Sequence, residues 1–299
     1  MIPQFPEFKK IELDDRHEVS AITEKHHAYS DFEFGSLYAW DVKEDIELSM
    51  LNANLIVKFT DYITGEPFLS FIGNNEVNDT TIKLIEESAK RGYSKKLSLV
   101  PEVAASLLSD EQFEIEESRD HADYILDLSK YITYAGGKLK HRRNFFNGFM
   151  KMYPHYTVEQ LDLTSEDVKK EVTELYRAWQ EGKGFLSLSE AFAYERFLQV
   201  AHHFNHSSIG VRVDGKLVGF HVSTLPPGDH ANGLFEKADI NYHGIYPLLM
   251  HEVAKDHISR GYNFLNFEQD LGILNLRRSK LEFDPVNFFK KYNVSRKKS

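Results

Sequence analysis

Ile209-Gly210-Val211-Arg212-Val213-Asp214-Gly215-Lys216-Leu217-Val218-Gly219-Phe220-His221-Val222-Ser223-Thr224 reads as two apolar strands around an Asp-Gly turn. Asp-Gly tolerates the positive φ angles that a two-residue hairpin needs, so this is a strong local signal. A third apolar run, Ala231–Lys237, follows the turn Pro226-Pro227-Gly228-Asp229 and extends the hairpin to an antiparallel meander. Upstream lie a strand over His155–Asp162, a helix that starts at Ser165 and carries Leu175 and Trp179, and a helix over Leu188–Phe204. Downstream, a helix over 244–260 stops at Gly261, the usual kind of C-terminal residue. Strand Asn263–Glu268, helix Leu274–Leu281 and a last strand near Pro285–Val294 close the half.

The first half repeats this order. A helix over Leu13–Tyr29 opens on acids, where the helix dipole favours them. Strands over Ile46–Leu51, Asn54–Thr60 and Pro67–Ile72 follow, the first two joined through Asn52-Ala53. Asp79 is expected to cap a helix ending at Arg91-Gly92. Leu97–Val100, a helix begun by Pro101, Phe113–Glu116 and Tyr124–Leu128 complete it. Helices, meander, helix, strand, helix, strand is an α+β pattern rather than strict βαβ alternation. The order resembles that of the acetyltransferase-type N-acyltransferase (GNAT) fold. The expectation is two tandem GNAT-like lobes with mixed, largely antiparallel sheets: a first, structural lobe over 1–128, a basic linker helix over 129–153, and a second lobe over 154–299 that carries the site.

The chain has 299 residues and no cysteine, which excludes a disulfide scaffold, a thiol nucleophile and a thiolate metal site. There is no Gly-x-Ser-x-Gly elbow, Walker A motif, Gly-x-Gly-x-x-Gly or His-Glu-x-x-His pattern, and no metal is expected. No apolar run approaches the roughly 18 residues of a spanning helix. The N-terminus lacks a signal-peptide core, so the expected location is cytoplasmic. A formal charge of −10 excludes a uniformly basic nucleic-acid coat.

That charge is uneven. Residues 1–137 hold 13 Lys/Arg against 27 Asp/Glu, and residues 138–299 hold 23 against 19. Lys138 to Lys151 contains Lys138, Lys140, Arg142 and Arg143 with no acid, interleaved with Phe145, Phe146, Phe149 and Met150. The spacing predicts one apolar helical stripe with the bases opposite. Such a face serves a polyanion, a membrane surface or simple solubility. A second basic run reaches the C-terminus, where Arg296, Lys297 and Lys298 read as a solvated tail.

Chemistry concentrates in the last 70 residues or so. Leu234-Phe235-Glu236-Lys237-Ala238 ends a strand with an adjacent acid and base. Asn241-Tyr242-His243-Gly244-Ile245-Tyr246 opens a helix. In Asn263–Gly272, a continued strand would put Asn266, Glu268 and Asp270 on one face. Arg277 and Lys280 then share a helical face at i, i+3. Either these groups brace a strand–helix junction as a buried ion network, or they line a charged pocket. The matching part of the first half, Leu97–Pro101, is apolar, so no comparable cluster is expected there.

Phe-Glu-Lys-Ala at 235–238, the Gly-Ile-Tyr helix start, Asn-x-Glu-x-Asp-Leu-Gly at 266–272, Leu-Arg-x-Ser-Lys at 276–280 and Pro285 together resemble the C-terminal domain family of phosphatidylglycerol lysyltransferase. His141-Arg142-Arg143-Asn144 with Phe149 resembles that family's basic linker helix. The family is similar to the Fem aminoacyltransferases. The resemblance implies transfer of an amino acid from aminoacyl-tRNA to a lipid or small-molecule hydroxyl or amine, with no cofactor required. It implies Glu268, Asp270, Arg277 and Lys280 as catalytic residues. It implies substrate-binding roles for Glu236, Lys237, Asn266, Gly244 and Tyr246. Lys138, Lys140, Arg142 and Arg143 would meet tRNA. An acyl-CoA-dependent N-acyltransferase is the alternative, although Gly244 alone offers little of a Gly-rich pyrophosphate cradle. A non-catalytic RNA- or lipid-binding module is the third reading.

Overall fold

The computed structural model describes residues 1–180 and 186–297; Lys298 of the expected tail lies outside the described residues. In chain order the elements are β1 (Lys9–Lys10), α1 (Arg16–Thr23), α2 (Phe34–Ala39), β2 (Glu47–Leu51), β3 (Asn54–Thr60), β4 (Pro67–Ile72), α3 (Val77–Lys90), β5 (Lys96–Pro101), α4 (Glu102–Ala105), β6 (Phe113–Glu117) and β7 (Asp123–Asp127). They continue with α5 (Ser129–Thr133), α6 (Lys140–Met152), β8 (Thr157–Gln160), α7 (Glu166–Gln180), α8 (Leu186–Val200), β9 (His206–Val213), β10 (Lys216–Thr224) and β11 (His230–Ala238). The chain ends with α9 (Ile245–Ser259), β12 (Phe264–Asn266), α10 (Leu274–Leu281), β13 (Asn287–Phe289) and β14 (Lys291–Arg296).

The architecture is α+β, in two compact units. The first comprises Met1–Asp123, Gln269–Ile273 and Phe288–Ser299. The second comprises Tyr124–Glu268 and Leu274–Asn287. These units and the expected bounds 1–128, 129–153 and 154–299 part company at both ends. β14, expected in the second lobe, lies between β5 and β6 in the first unit. β7, expected in the first lobe, pairs with β12 in the second. The β5-β14-β6 sheet and the sheet that holds β7 and β12 thus each include a strand from distant sequence, and no local periodicity reports such a pairing.

The first unit holds an antiparallel sheet in the order β1-β2-β3-β4 and the three-stranded sheet β5-β14-β6. Asn52 and Ala53 both have positive φ, the mirror-image turn that suits the twist of β2 and β3. Ile56, Leu69, Phe71, Leu84, Val100, Phe113 and Val294 are buried together, so α3 packs one apolar face onto strands of both sheets. In α3, Asp79 sits in the first turn and Glu76, at φ 42°, is the N-cap residue, so the expected Asp79 cap is displaced by one turn. α1 ends at Thr23, short of the expected Tyr29.

The second unit's sheet runs β7-β12-β11-β10-β9-β8. β11 and β12 are parallel, and β10 is antiparallel to both β9 and β11. The Asp214-Gly215 turn forms as expected, with both residues at positive φ. One face of this sheet buries Val211, Val218, Leu248 and Leu249 with Phe149 of α6. α9 also closes a second cluster with Leu126, Tyr131, Tyr134, Leu265 and Phe283. β12 is shorter than the expected Asn263–Glu268 and stops at Asn266, which shapes the site described next.

Candidate functional site

The parallel pairing of β11 with β12 covers His230↔Phe264, Ala231↔Leu265 and Asn232↔Asn266. β11 continues to Ala238, so its residues 233–238 have a registered strand neighbour on the β10 side only. On that side Val222 faces Phe235 and Ser223 faces Gly233, leaving Leu234 as a bulged residue. A bulge where a strand loses a neighbour re-aims side chains and exposes backbone, as often occurs beside active sites.

Glu236 and Lys237 point to opposite faces of β11, as alternation requires. Lys237 is buried, 2.6 Å from Glu190 of α8. Its ammonium lies 4.2 Å from the Trp179 ring centroid. Glu236 keeps some exposure, and its Oε2 lies 3.0 Å from Nδ1 of His221. The other ring nitrogen, Nε2, lies 2.7 Å from Ser223 Oγ. His221 is 1% exposed and Ser223 has no exposed surface.

Gly244 caps α9 at φ 90°, and a Cβ there would fall 2.2 Å from the Phe145 carbonyl oxygen of α6. Only glycine allows that close approach in that conformation. Tyr246 follows in the first turn of α9. Burial, with the charge of Glu236 nearby, pushes its phenol up to about 12.

Asn266 is fully buried, and its Oδ1 accepts from the Glu268 backbone N–H at 2.8 Å. That Asx-type turn and the positive φ of Glu268, 55°, take the chain out of the strand. The expected common strand face of Asn266, Glu268 and Asp270 is therefore not formed. Asp270 belongs to the first unit and is fully buried. It lies 3.2 Å from Arg119 and accepts from the Gly272 N–H at 2.9 Å. In α10, Arg277 is half-buried and Lys280 is buried. Lys280 donates to the Phe267 carbonyl, with its ammonium 5.0 Å from the Phe267 ring.

The four basic residues before β8 separate into two kinds. Lys138 is 81% exposed and 2.8 Å from Asp284, and Lys140 is exposed. Arg142 is buried, donating to the carbonyls of Glu282 and Ser279 with its guanidinium 3.4 Å from the Phe283 ring centroid. Burial depresses its pKa. Arg143 donates to the Tyr134 carbonyl at 2.7 Å. The expected apolar stripe is also narrower: Phe149 is buried and Phe146 partly so, while Phe145 and Met150 are each 40% exposed. Arg142 takes inward space because its fork finds carbonyl acceptors there.

His221, Ser223 and Asn232 escaped the sequence reading. Asn232 is fully buried beside Asn266, and its carboxamide has no hydrogen-bond partner. A buried ion network in the first unit also went unforeseen: Lys291 pairs with Asp31 and Asp123, and Ser30 donates to Asp123. These residues are far apart in sequence, so no spacing betrays them. Among the described residues, no group of three or more His, Asp or Glu is arranged to hold a metal ion. No helix among them is long and apolar enough to cross a membrane.

The family model described as phosphatidylglycerol lysyltransferase, C-terminal, matches residues 23–295. A conserved protein of unknown function from Bacteroides thetaiotaomicron is 28% identical, with a TM-score of 0.83 over 99% of this chain and 100% of that one. L-PGS from Bacillus licheniformis is 16% identical, with a TM-score of 0.65 over 100% of this chain and 95% of that one. FemX is 11% identical, with a TM-score of 0.59 over 96% of each chain. No curated protein matches the chain. The structural likenesses show the fold alone, a tandem GNAT-like one.

Proposed function

The chain belongs to the phosphatidylglycerol lysyltransferase C-terminal domain family, whose members are acyltransferases, and from that premise we propose that it moves an aminoacyl group from aminoacyl-tRNA to a hydroxyl or amine of a lipid or small molecule. The observation that carries this reading is Glu236: a partly exposed carboxylate held by a buried imidazole where β11 outruns β12.

An aminoacyl ester is already activated, so no side-chain nucleophile is needed. The enzyme has to align the acceptor with the ester carbonyl and stabilise the charge that develops. Glu236 takes the proton of the acceptor O–H or N–H as that atom bonds to the carbonyl carbon. The tetrahedral oxyanion collapses, the ester oxygen of the tRNA ribose leaves, and the same proton passes to it. Arg277, on α10, is assigned the positive charge for the oxyanion on the chemistry of its guanidinium, which is always protonated and offers several N–H donors. Lys280 and Lys237 are committed to Phe267 and Glu190, which fits bracing better than chemistry. Lys138 and Lys140 expose positive charge for the phosphates of the donor.

The test uses the full chain with lysyl-tRNA or acetyl-CoA as donor and vesicles of phosphatidylglycerol as acceptor. Product is separated by thin-layer chromatography, with a panel of other aminoacyl-tRNAs in parallel. Transfer from an aminoacyl-tRNA, reduced about 100-fold or more in Glu236→Gln, is the expected result. Transfer from acetyl-CoA alone would replace this reading with a CoA-dependent one.

A further inference from the structure

Ser223, His221 and Glu236 stand in the order hydroxyl, imidazole, carboxylate. The distances are 2.7 Å from Oγ to Nε2 and 3.0 Å from Nδ1 to Oε2. That is the connectivity of a hydrolytic triad. Its use as a nucleophile system fails on burial. Ser223 has no exposed surface, so a carbonyl carbon has no path to Oγ, and no acyl-serine is expected. The exposure is at the other end, on the carboxylate.

The sequence arranges this with three local devices. His221 and Glu236 are registered partners across β10 and β11, so their side chains share a face as neighbours. Ser223 lies two residues further along β10, on the same side as His221. Gly233 opposes Ser223, and even a single Cβ there would touch His221 Cε1 at 3.4 Å. A larger side chain at 233 would press on the ring.

An ionised carboxylate only accepts hydrogen bonds, so the proton between His221 and Glu236 belongs to Nδ1. In the neutral ring Nε2 is then an acceptor, and Ser223 Oγ–H donates to it. Each member fixes the next, and the chain ends on Glu236 Oε2. We propose that His221 is a positioning residue for Glu236, aiming the carboxylate while Ser223 fixes the imidazole tautomer. This inference rests on the aminoacyl-transfer reading for the task of Glu236. It does not rest on that reading for the tautomer and the hydrogen-bond geometry.

Other groups set the background for Glu236. Its charge is felt by Tyr134 after α5, Arg142 of α6 and Tyr246 of α9. Behind His221 stands His257 of α9, with ring centroids 6.2 Å apart, and Asp256 is 3.2 Å from His257 Nδ1. Among these, His221 is the group in direct hydrogen-bond contact with Glu236.

The experiment is an NMR study of the full chain at neutral pH, labelled with ¹⁵N-histidine and ¹³C-glutamate, as wild type, His221→Phe and His221→Asn. Wild type is expected to show His221 protonated at Nδ1, with that N–H hydrogen-bonded to the Glu236 carboxylate. In His221→Phe the Glu236 carboxylate resonance moves away from its wild-type position, because the hydrogen bond is gone. Asn keeps an N–H near the Nδ1 position and restores most of the wild-type signature. Ser223→Ala, which preserves packing, is expected to loosen the tautomer, and it stands in if His221→Phe fails to melt cooperatively. In the lysyl-tRNA assay, His221→Phe lowers kcat about 10- to 100-fold with KM little changed, and His221→Asn recovers most of the loss. A wild-type imidazole protonated at Nε2, or a Glu236 carboxylate resonance unchanged in His221→Phe, overturns the proposal. Wild type that shows the tautomer and the hydrogen-bonded carboxylate yet transfers no aminoacyl group upholds the positioning of Glu236 and removes the aminoacyl-transfer reading instead.

Discussion

Lys291 Nζ lies 2.6 Å from Asp123 Oδ1, and neither side chain has any exposed surface. Asp31 is a second carboxylate partner of the same ammonium, and Ser30 donates to Asp123 through both its N–H and its hydroxyl. Removing the cation would leave two buried carboxylates facing each other. Lys291→Met is therefore expected to cost about 3–5 kcal/mol, measured by urea unfolding at neutral pH. Burial pulls the Lys291 pKa down, but Asp123 and Asp31 outweigh it, and the net direction is above 10.5. A raised lysine contributes stability that is complete below its unfolded value and fades as pH climbs through the folded value. Wild-type melting temperature should thus fall above about pH 10.5 more steeply than that of an Asp31→Asn/Asp123→Asn/Lys291→Met triple variant. Parallel curves would show that the cluster is not titrating there.

Gly244 gives a test of the second unit. A methyl group would meet the Phe145 carbonyl oxygen at 2.2 Å and Phe149 Cβ at 3.0 Å, both backbone-anchored positions on α6. The φ of 90° adds strain for any residue with a Cβ. Gly244→Ala should lower stability by about 2–4 kcal/mol, with overpacking and backbone strain acting together. An unchanged melt would mean that α6 and the start of α9 are free to separate.

Asp270 tests whether buried charge in the 266–272 segment braces or reacts. Its carboxylate is fully buried and occupied by Arg119 and the Gly272 N–H. Asp270→Asn should cost about 1.5–3 kcal/mol in urea unfolding, the scale of hydrogen bonds to a charged group. Turnover per folded molecule should stay within a few-fold. Loss of turnover at unchanged stability would return Asp270 to the chemistry.

Hairpins and helix faces were legible because each is written in adjacent residues. Asp214-Gly215 fixed β9 and β10, and Gly261 marked the end of α9. Glu236 and Tyr246 were legible as candidate residue types, and the charge of Glu236 is among the causes that raise the Tyr246 phenol. What escaped depends on register between segments without a tight turn. The β10–β11 connection is a five-residue loop with a bulge beyond it, so nothing in the sequence aligns His221 with Glu236. The same holds for Lys291, whose strand enters a sheet begun almost 200 residues earlier. The expected Asn266, Glu268 and Asp270 face failed for a local reason: Asn266 turns its side chain on the Glu268 amide and ends the strand.

The basic residues before β8 yield a prediction that separates structure from electrostatics. Arg142 is buried among carbonyl acceptors over the Phe283 ring, so Arg142→Ala should lower stability by about 2–3 kcal/mol through unpaired carbonyls and lost packing. Arg143 is tied to the Tyr134 carbonyl and belongs with it. Lys138 and Lys140 carry their charge in solvent, and the Lys138 pair with Asp284 is an exposed one worth little. Lys138→Ala/Lys140→Ala should therefore melt like wild type. If these two lysines meet phosphates, each lost contact reduces the log–log salt slope of tRNA binding by about 0.7–0.9. Filter retention of deacylated tRNA between 50 and 200 mM salt, roughly the range where such contacts dominate, reads that slope. The expected result is a double variant with a shallower slope and weaker binding at low salt. Equal slopes and affinities would remove the polyanion role from this helix while leaving the bracing role of Arg142 intact.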